Sequence, residues 1–396
     1  MVTSIYILAD TIMVGQGVGD AGLAALTIFM PIVASFFALG LLLGVGGGVL
    51  MSVAKGSGNE SLAHKYFSTA MISAAVVSVC FAVFGAIFFD QMMYALGADT
   101  TNIELVRGYG LCYTVSAPLF IFSSSLQSFI RNDKSPRHAM IAVLTGSGLN
   151  ILLDYLFIFV FKMGMFGASF ATSIGTSITV CILVIHFFTK KNTMRFSFRF
   201  FSIKALWEIA KCGFSSFLIE CANAVLVFVF NHTLLKYIGS VGVTVYSIMS
   251  NVAVVCMSLF NGVTLAAQPI IATNHGADNH KRVLQVRHIG TITSSVIAVI
   301  IFCVGFFFPD LLIYSYVKGP TPEILELARY ALRIYFFAYL FMNFNIFFSG
   351  YFQSTLRPVA AITIQILRSL LLSSVLVSVL PMIFGADAIW YAVPVT

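Results

Sequence analysis

Residues 129–172 read FIRNDKSPRHAMIAVLTGSGLNILLDYLFIFVFKMGMFGASFAT, a basic turn followed by a long apolar run that contains one carboxylate, Asp154. The run exceeds the ~20 residues that an α-helix needs to cross the apolar core of a membrane. An ionised acid in the middle of such a helix costs at least ~2.5 kcal/mol, so it is retained where it binds a ligand or carries a proton. Asp154 is therefore the first candidate for a functional residue.

Two further polar residues are expected within reach of Asp154. Asn150 lies one helical turn earlier on the same face, and Thr172 is contributed by the next apolar run. Carboxylate, carboxamide and hydroxyl oxygens suit a small hard cation or a proton. The alternative interpretation is a polar pair that only joins neighbouring helices.

The composition excludes a soluble protein. Hydrophobic residues make up 59% of the chain and charged residues 9%, and the mean hydropathy is +0.97, which leaves too little polar surface to cover a soluble fold. The net charge of +7 is spread over short loops between apolar runs, which argues against nucleic-acid binding. The seven cysteines fall in or beside apolar runs without a CxxC pair and are interpreted as helix-packing residues.

Apolar runs of membrane length predict twelve transmembrane helices, the first and the last of them incomplete. The runs are 1–16, 23–54, 66–89, 106–130, 137–161, 165–189, 212–237, 241–272, 284–308, 327–355, 358–382 and a short run from 386. Most lysines and arginines lie in the loops on one side, which the positive-inside rule assigns to the cytoplasm. This topology places the amino terminus in the cytoplasm.

The sequence repeats itself with a displacement of about 220 residues. GVGDAGLAALTI at 17–28 aligns with YIGSVGVTVYSI at 237–248, and a shift of 222 pairs Pro136 with Pro358. Six helices per repeat is an even number, so both halves have the same orientation and are related by an axis along the membrane normal. We therefore predict an all-α polytopic membrane protein of two six-helix bundles with this pseudo-two-fold relation.

The predicted domains are an amino-terminal lobe at 1–190 and a carboxy-terminal lobe at 212–396. Between them, the basic and aromatic segment 191–211 is predicted to be a linker on the cytoplasmic membrane surface. Helix 7 starts near Cys212, so the repeat would place the start of helix 1 upstream of Met1. By the same comparison helix 12 is short, and both terminal helices are expected to be truncated.

A second acid is expected at the level of Asp154. Asp10 in helix 1 and Asp154 in helix 5 both lie about 10 to 12 Å below the outer ends of their helices. Two acids that meet in a low dielectric cannot both ionise cheaply without a cation, which suits ion coupling. Their repeat partners are Phe230 and Leu376, so the second half does not copy this site. It has Glu220 nearer the membrane middle, either as a functional acid or as a protonated acid bonded to another helix.

Eight motifs in register resemble the MATE (multidrug and toxic compound extrusion) transporters, and the similarity is greatest to the bacterial branch with the Mep-type exporters. They are ILADTIMVGQGVG, SFIRNDKSPRHAM, LNILLDYLFIF, MGMFGASFAT, FLIE, GVTLAAQPIIATNHG, GYFQSTLRP and QILRSLL. The resemblance covers nearly the whole chain. It implies a V-shaped pair of six-helix lobes that exports organic cations by alternating access, in exchange for inward sodium or protons.

The resemblance also implies roles for individual residues. The family's amino-lobe ion site matches Asp10, Asn150, Asp154 and Thr172, with no metal expected beyond sodium there, and the family's helix 7 acid matches Glu220.

The remaining site residues lie in the second half. Asn231 is a candidate for lining the substrate cavity, together with Glu220 and with Asn343 and Asn345, which stand in helix 10 where some family members have an acid. Gln268 and Pro269 match the helix 8 motif and are hinge candidates, because a proline within a helix frees a carbonyl and allows bending.

The sequence thus predicts a monomeric antiporter of a bacterial inner membrane that has a cationic small-molecule substrate, no cofactor beyond the coupling ion and no enzymatic activity. One alternative is a lipid-linked oligosaccharide flippase of the same superfold, although intramembrane bases are few, chiefly Arg368. An intramembrane enzyme is disfavoured because no metal-ligand pair and no nucleophile with a base is found. An inactive fragment is the last alternative.

Overall fold

The computed structural model describes residues 2–316 and 320–396, and every regular element in these ranges is helical. The chain forms two compact units, the first ending at Phe217 and the second beginning at Leu218. The predicted all-α membrane fold is confirmed.

The helices of the first unit follow one another through short turns. They are α1 (Val2–Gly17), α2 (Asp20–Gly56), α3 (Glu60–Ile87), α4 (Phe89–Ala95), α5 (Ile103–Val115), α6 (Ala117–Asn132), α7 (Pro136–Tyr155) and α8 (Gly164–Ile185). A π-helical turn, Leu156–Val160, continues α7, and 3₁₀ turns follow α8 at His186–Phe188 and Phe198–Phe200. Helix α9 (Ile203–Tyr237) begins in the first unit and continues into the second.

The second unit resembles the first in its long helices but has one unbroken helix, Pro322–Ser354, where the first unit has α5 and α6. Its helices are α10 (Ser240–Gly276), α11 (His280–Phe307), α12 (Pro309–Tyr316), α13 (Pro322–Ser354), α14 (Pro358–Gln365), α15 (Ser373–Phe384) and α16 (Ala392–Val395). A π-helical segment, Ile366–Leu372, joins α14 to α15, and a 3₁₀ turn, Ala386–Tyr391, precedes α16.

Nine helices within the described residues are long and apolar enough to cross a membrane, and a tenth span results if α5 and α6 are counted together. The sequence predicted one uninterrupted helix over 106–130, and this is wrong. The structure breaks it at Ser116 with a bend of 51°. Pro118 stands in the first turn of α6, where it lacks a backbone N–H and disfavours helical geometry in the preceding residue. These two effects explain the bend.

The tandem repeat is visible in the lengths and ends of corresponding helices. Helices α2 and α10 both have 37 residues, and α3 and α11 both have 28. Gly19 and Gly239 precede the longer pair with φ of 87° and 84°, a left-handed conformation that glycine adopts without strain. Asn59 and Asn279 cap the shorter pair through their side chains. Each correspondence follows the predicted displacement of 220.

Small residues bring α2 close to α6 in the first unit. A Cβ atom on Gly40 would lie 2.6 Å from Ser124 Cβ, and one on Gly44 would lie 2.6 Å from Ser125 Cα. Ser125 Oγ donates a hydrogen bond to the Gly40 carbonyl at 3.0 Å. Close backbone approach of this kind is how membrane helices associate, because lipid supplies no hydrophobic drive between them.

The segment that follows α8 is attached to the first unit by hydrogen bonds. The Ser197 N–H donates to Ser68 Oγ at 3.1 Å, and Tyr66 Oη donates to Glu208 Oε2 at 2.6 Å. Helix α9 already begins at Ile203, so the predicted linker includes its first turns. The apolar run alone did not reveal this earlier start, because the first turns of α9 contain charged residues.

Candidate functional site

Helices α7 and α8 cross at a pair of glycines, Gly146 and Gly175. A Cβ atom on Gly146 would lie 2.6 Å from the Gly175 carbonyl oxygen, and one on Gly175 would lie 2.8 Å from the Gly146 carbonyl oxygen and 2.9 Å from Asn150 Cβ. Real Cβ atoms do not approach other atoms so closely. The absence of side chains at both positions therefore holds Asn150 against α8.

Asn150 meets Thr172 across this crossing. Asn150 Nδ2 donates a hydrogen bond to Thr172 Oγ1 at 3.3 Å, and that hydroxyl donates to the Ala168 carbonyl at 3.0 Å. Both side chains are buried. Asn150 Oδ1 is also buried and accepts no hydrogen bond from any described group, so this oxygen remains free to bind a cation.

Asp154 lies one turn beyond Asn150 and is completely buried. Its carboxyl group interacts with the Asn150 side chain, but neither oxygen accepts a hydrogen bond of good geometry from a described residue. Leaving such a group unpaired is costly in an apolar environment. The π turn Leu156–Val160 begins two residues later, and π turns within helices are common at functional sites.

Asp10 joins this cluster from α1, which packs against α7 and α8. Its side chain is buried, it interacts electrostatically with Asp154, and its Oδ1 atom has no hydrogen-bond partner in the part of the chain that is described. The structure thus brings together all four residues that the sequence grouped. Four unpartnered oxygens in one buried cluster fit a proton or a hard cation such as sodium. Among the described residues, no group of three histidine, cysteine or acidic side chains is placed to bind a metal ion.

The four predicted cavity residues of the second half differ in how deeply they are buried. Glu220 and Asn231 on α9 and Asn345 on α13 are half-buried. Asn343 is fully buried, where its Nδ2 donates to the Leu340 carbonyl at 2.7 Å and its Oδ1 accepts from Ser294 Oγ at 3.3 Å. The carboxamide of Asn343 therefore links α13 to α11 inside the second unit.

The predicted hinge lies within an unbroken helix. Helix α10 continues through Pro269 to Gly276. Gln268 Nε2 donates to Gln353 Oε1 at 2.9 Å, and both side chains are buried. This amide pair joins α10 to α13 beside the proline. Gln353 belongs to the motif GYFQSTLRP, but no role was predicted for it from the sequence.

A buried carboxylate between α6 and α7, Asp133, was not predicted from the sequence. Asp133 accepts hydrogen bonds from Lys55 Nζ and from the Thr193 N–H at 3.0 Å, and His186 Nε2 lies 2.8 Å from its Oδ2. Burial alone would raise the pKa of Asp133, but the hydrogen bonds from Lys55, Thr193 and His186 together hold that pKa below its usual value. Asp133 thereby ties α2, α8 and the following segment together.

Arg368, the intramembrane base noted from the sequence, lies in the π-helical segment Ile366–Leu372. Its side chain is buried and forms no ion pair with a carboxylate in the described ranges. It is therefore a buried intramembrane base within a π segment, in the half that lacks the carboxylate cluster.

Repeated membrane-length helices, with a buried carboxylate cluster inside the first unit, are typical of a multi-pass membrane transporter. The chain belongs to the MatE family, whose model matches residues 1–156 and 212–379. The family resemblance inferred from the motifs is therefore confirmed.

Individual relatives agree with this assignment. The multidrug export protein MepA of Staphylococcus haemolyticus (strain JCSC1435) is 26% identical over 393 residues, which cover 98% of this chain and 86% of the relative. MepA of Staphylococcus aureus (strain MSSA476) is 24% identical over 401 residues, with 98% and 86% covered.

Solved structures show the same fold. One is an outward-facing MATE family transporter of the MOP superfamily, with a TM-score of 0.93 at 22% identity over 99% of this chain and 88% of that chain. Another is a MOP superfamily transporter from Pyrococcus furiosus whose binding pocket is described as having reverse polarity, with a TM-score of 0.92 at 22% identity over 100% and 88%.

Proposed function

We propose that this chain is a secondary active antiporter that exports organic cations in exchange for inward protons or sodium. It acts as a monomer in a bacterial cytoplasmic membrane, with its amino terminus in the cytoplasm. The observation that carries the proposal is the buried cluster of two carboxyl groups, a carboxamide and a hydroxyl with four unpartnered oxygens. Membership of the MatE family and similarity to multidrug export proteins give the direction of transport.

In this proposal the cluster holds the coupling ion. Asp10 and Asp154 supply negative charge, and Asn150 supplies a neutral oxygen from Oδ1. Thr172 orients the carboxamide, because its hydroxyl accepts from Nδ2 and leaves Oδ1 free. A bound proton or sodium ion relieves the repulsion between two carboxylates that share a low dielectric.

Coupling follows because the cationic substrate and the coupling ion compete for the negative charge of Asp10 and Asp154. An empty, ionised cluster attracts a cationic substrate, whereas a cluster neutralised by a proton or sodium ion does not. An ion that binds one state of the transporter more tightly shifts the population toward that state, so ion entry and substrate release are linked. Glu220, Asn231 and Asn345 line the substrate path, and Asn343 supports α13 from within the second unit.

The experiment compares wild type with Asp154→Asn in proteoliposomes. The amide keeps the shape of the carboxylate but removes its charge. We expect efflux driven by a pH or sodium gradient to be lost, while substrate counterflow, which needs no net ion movement, is retained and shows that the variant is folded. Applying the two gradients separately identifies the coupling ion.

The matched control is Asp387→Asn, which removes an exposed acid outside the cluster and is expected to leave both activities unchanged. Undiminished gradient-driven efflux by Asp154→Asn would falsify the coupling assignment. Lipid scrambling without drug efflux in the wild type would instead support the flippase alternative.

A further inference from the structure

A basic cavity of about 450 Å³ lies between the beginning of α7 and the end of α8. Its walls include Lys134, Ser135, Arg137, His186, Lys190 and Lys191. All of these residues belong to the first unit, and none belongs to the carboxylate cluster. The site is therefore separate from the transport site proposed above.

The cavity carries an uncompensated positive charge. Lys134, Arg137, Lys190 and Lys191 are exposed, and no described carboxylate forms an ion pair with any of them. No acid lines the cavity among the residues that the structure describes. The nearest acid along the chain, Asp133, is already engaged by Lys55 and His186. An anion in the cavity would therefore meet four cationic side chains without a competing carboxylate.

A buried hydroxyl in the same wall lacks a partner. Ser135 is only 7% exposed, and its Oγ atom has no hydrogen-bond partner among the described groups. It stands at the N-cap of α7 but makes no capping bond, although a serine there ordinarily accepts one from the first turn. A hydroxyl donor at the start of a helix, in a wall that also contains Lys134 and Arg137, suits a phosphate oxygen.

The surroundings of the cavity favour a lipid over a free anion. Along α7, one turn from the cavity, Met140 and Ile141 are more than half exposed, and beside His186 the exposed fractions are 53% for Ile185 and 86% for Phe188. On a chain that crosses a membrane, these apolar side chains face the acyl chains. The basic cavity thus lies where the apolar faces of α7 and α8 end, the level at which a phospholipid carries its phosphate.

We propose that this cavity binds the phosphate of an anionic phospholipid whose acyl chains lie along the exposed faces of α7 and α8. His186 lies in the cavity wall and also contacts Asp133, which in turn holds Thr193. A bound headgroup would therefore also stabilise the segment that leads from α8 into α9.

The test uses the full purified chain in neutral detergent, with thermal unfolding followed during titration with short-chain lipids. We expect dioctanoyl phosphatidylglycerol to raise the unfolding temperature with saturation, and dioctanoyl phosphatidylcholine to have little effect. The double variant Lys190→Gln, Lys191→Gln should weaken phosphatidylglycerol binding about thirtyfold, because each lysine near an anionic lipid contributes about one kcal/mol. Ser135→Ala keeps every charge and should weaken binding about fivefold through loss of a hydrogen bond.

The matched control is Lys281→Gln, Arg282→Gln, which removes the same charge from exposed positions at the start of α11 and should leave the affinity unchanged. Equal weakening by the control pair would show a general charge effect and overturn the proposal, as would equal binding of the two lipids. Inorganic phosphate is the third ligand titrated. If phosphate binds as tightly as phosphatidylglycerol, the cavity is a site for a free anion and the lipid proposal is overturned.

Discussion

The glycine crossing of α7 and α8 makes a sharp prediction for Gly146→Ala. The new Cβ would overlap Thr179 Oγ1 and would lie 2.6 Å from the Gly175 carbonyl oxygen. The Thr179 side chain can rotate away, but the carbonyl cannot, so the helices must separate by at least roughly 0.8 Å to reach ordinary contact at 3.4 Å. The Asn150–Thr172 hydrogen bond, already 3.3 Å long, would then exceed hydrogen-bonding distance. We expect the affinity for the coupling ion to fall about fivefold, because one neutral hydrogen bond that orients a ligand is worth about 1 kcal/mol.

The effect on stability is smaller than the clash alone suggests. Overpacking costs about 1 to 3 kcal/mol, while replacing a helical glycine by alanine returns about 1 kcal/mol, so a net loss of about 0 to 2 kcal/mol is expected. Gly148→Ala is the matched control on the same helix, since its Cβ would have nothing within 4 Å. It should be neutral or slightly stabilising and leave coupling unchanged.

The assay measures thermal unfolding of the purified variants together with the ion concentration that gives half-maximal gradient-driven efflux in proteoliposomes. Gly146→Ala should need about five times more ion than wild type, and Gly148→Ala should match wild type. If both variants keep the wild-type ion requirement, the glycine crossing does not set the geometry of the cluster.

Two further predictions concern buried polar groups outside the cluster. Gln268→Leu should cost about 1 to 3 kcal/mol in unfolding free energy because it removes the buried hydrogen bond that Gln353 Oε1 accepts from Gln268; the loss in the double variant with Gln353→Leu should be smaller than the sum of the two single losses, and strictly additive losses would contradict the pairing. The depressed pKa of Asp133 means that its interactions with Lys55 and His186 stabilise the fold above its usual pKa of 3.8 and are lost as the pH falls through the lower value of the folded state. Asp133→Asn should therefore lower the unfolding temperature at neutral pH, and the gap in unfolding temperature between variant and wild type should narrow below about pH 4. A gap that stays constant with pH would show that ionised Asp133 does not stabilise the fold.

Local rules predicted much of the fold and the first half of the site. Apolar runs placed the long helices, and the i, i+4 spacing of Asn150 and Asp154 placed both on one face of α7. The bend at Ser116 was missed, although Pro118 was visible in the sequence, because hydropathy does not register a missing N–H.

Pairings between distant residues were beyond the sequence. Gln268 and Gln353 are separated by 85 positions, and Lys55 and Asp133 by 78. No periodic pattern specifies which of several polar residues on two helices will meet. Asn343 shows the same limit, since hydropathy does not distinguish a side chain that faces a neighbouring helix from one that faces a cavity.

The π turn after Asp154 has a practical consequence for mapping accessible faces. Each π turn holds one residue more than an α turn, so side chains beyond it are rotated by about 100° relative to an uninterrupted helix. Both halves have such a segment on the helix that begins at Pro136 or Pro358. A cysteine-accessibility scan read with one constant period would assign the wrong face to residues beyond Leu156 and beyond Ile366. Restarting the period at each π segment should recover one continuous lipid-facing stripe in each half.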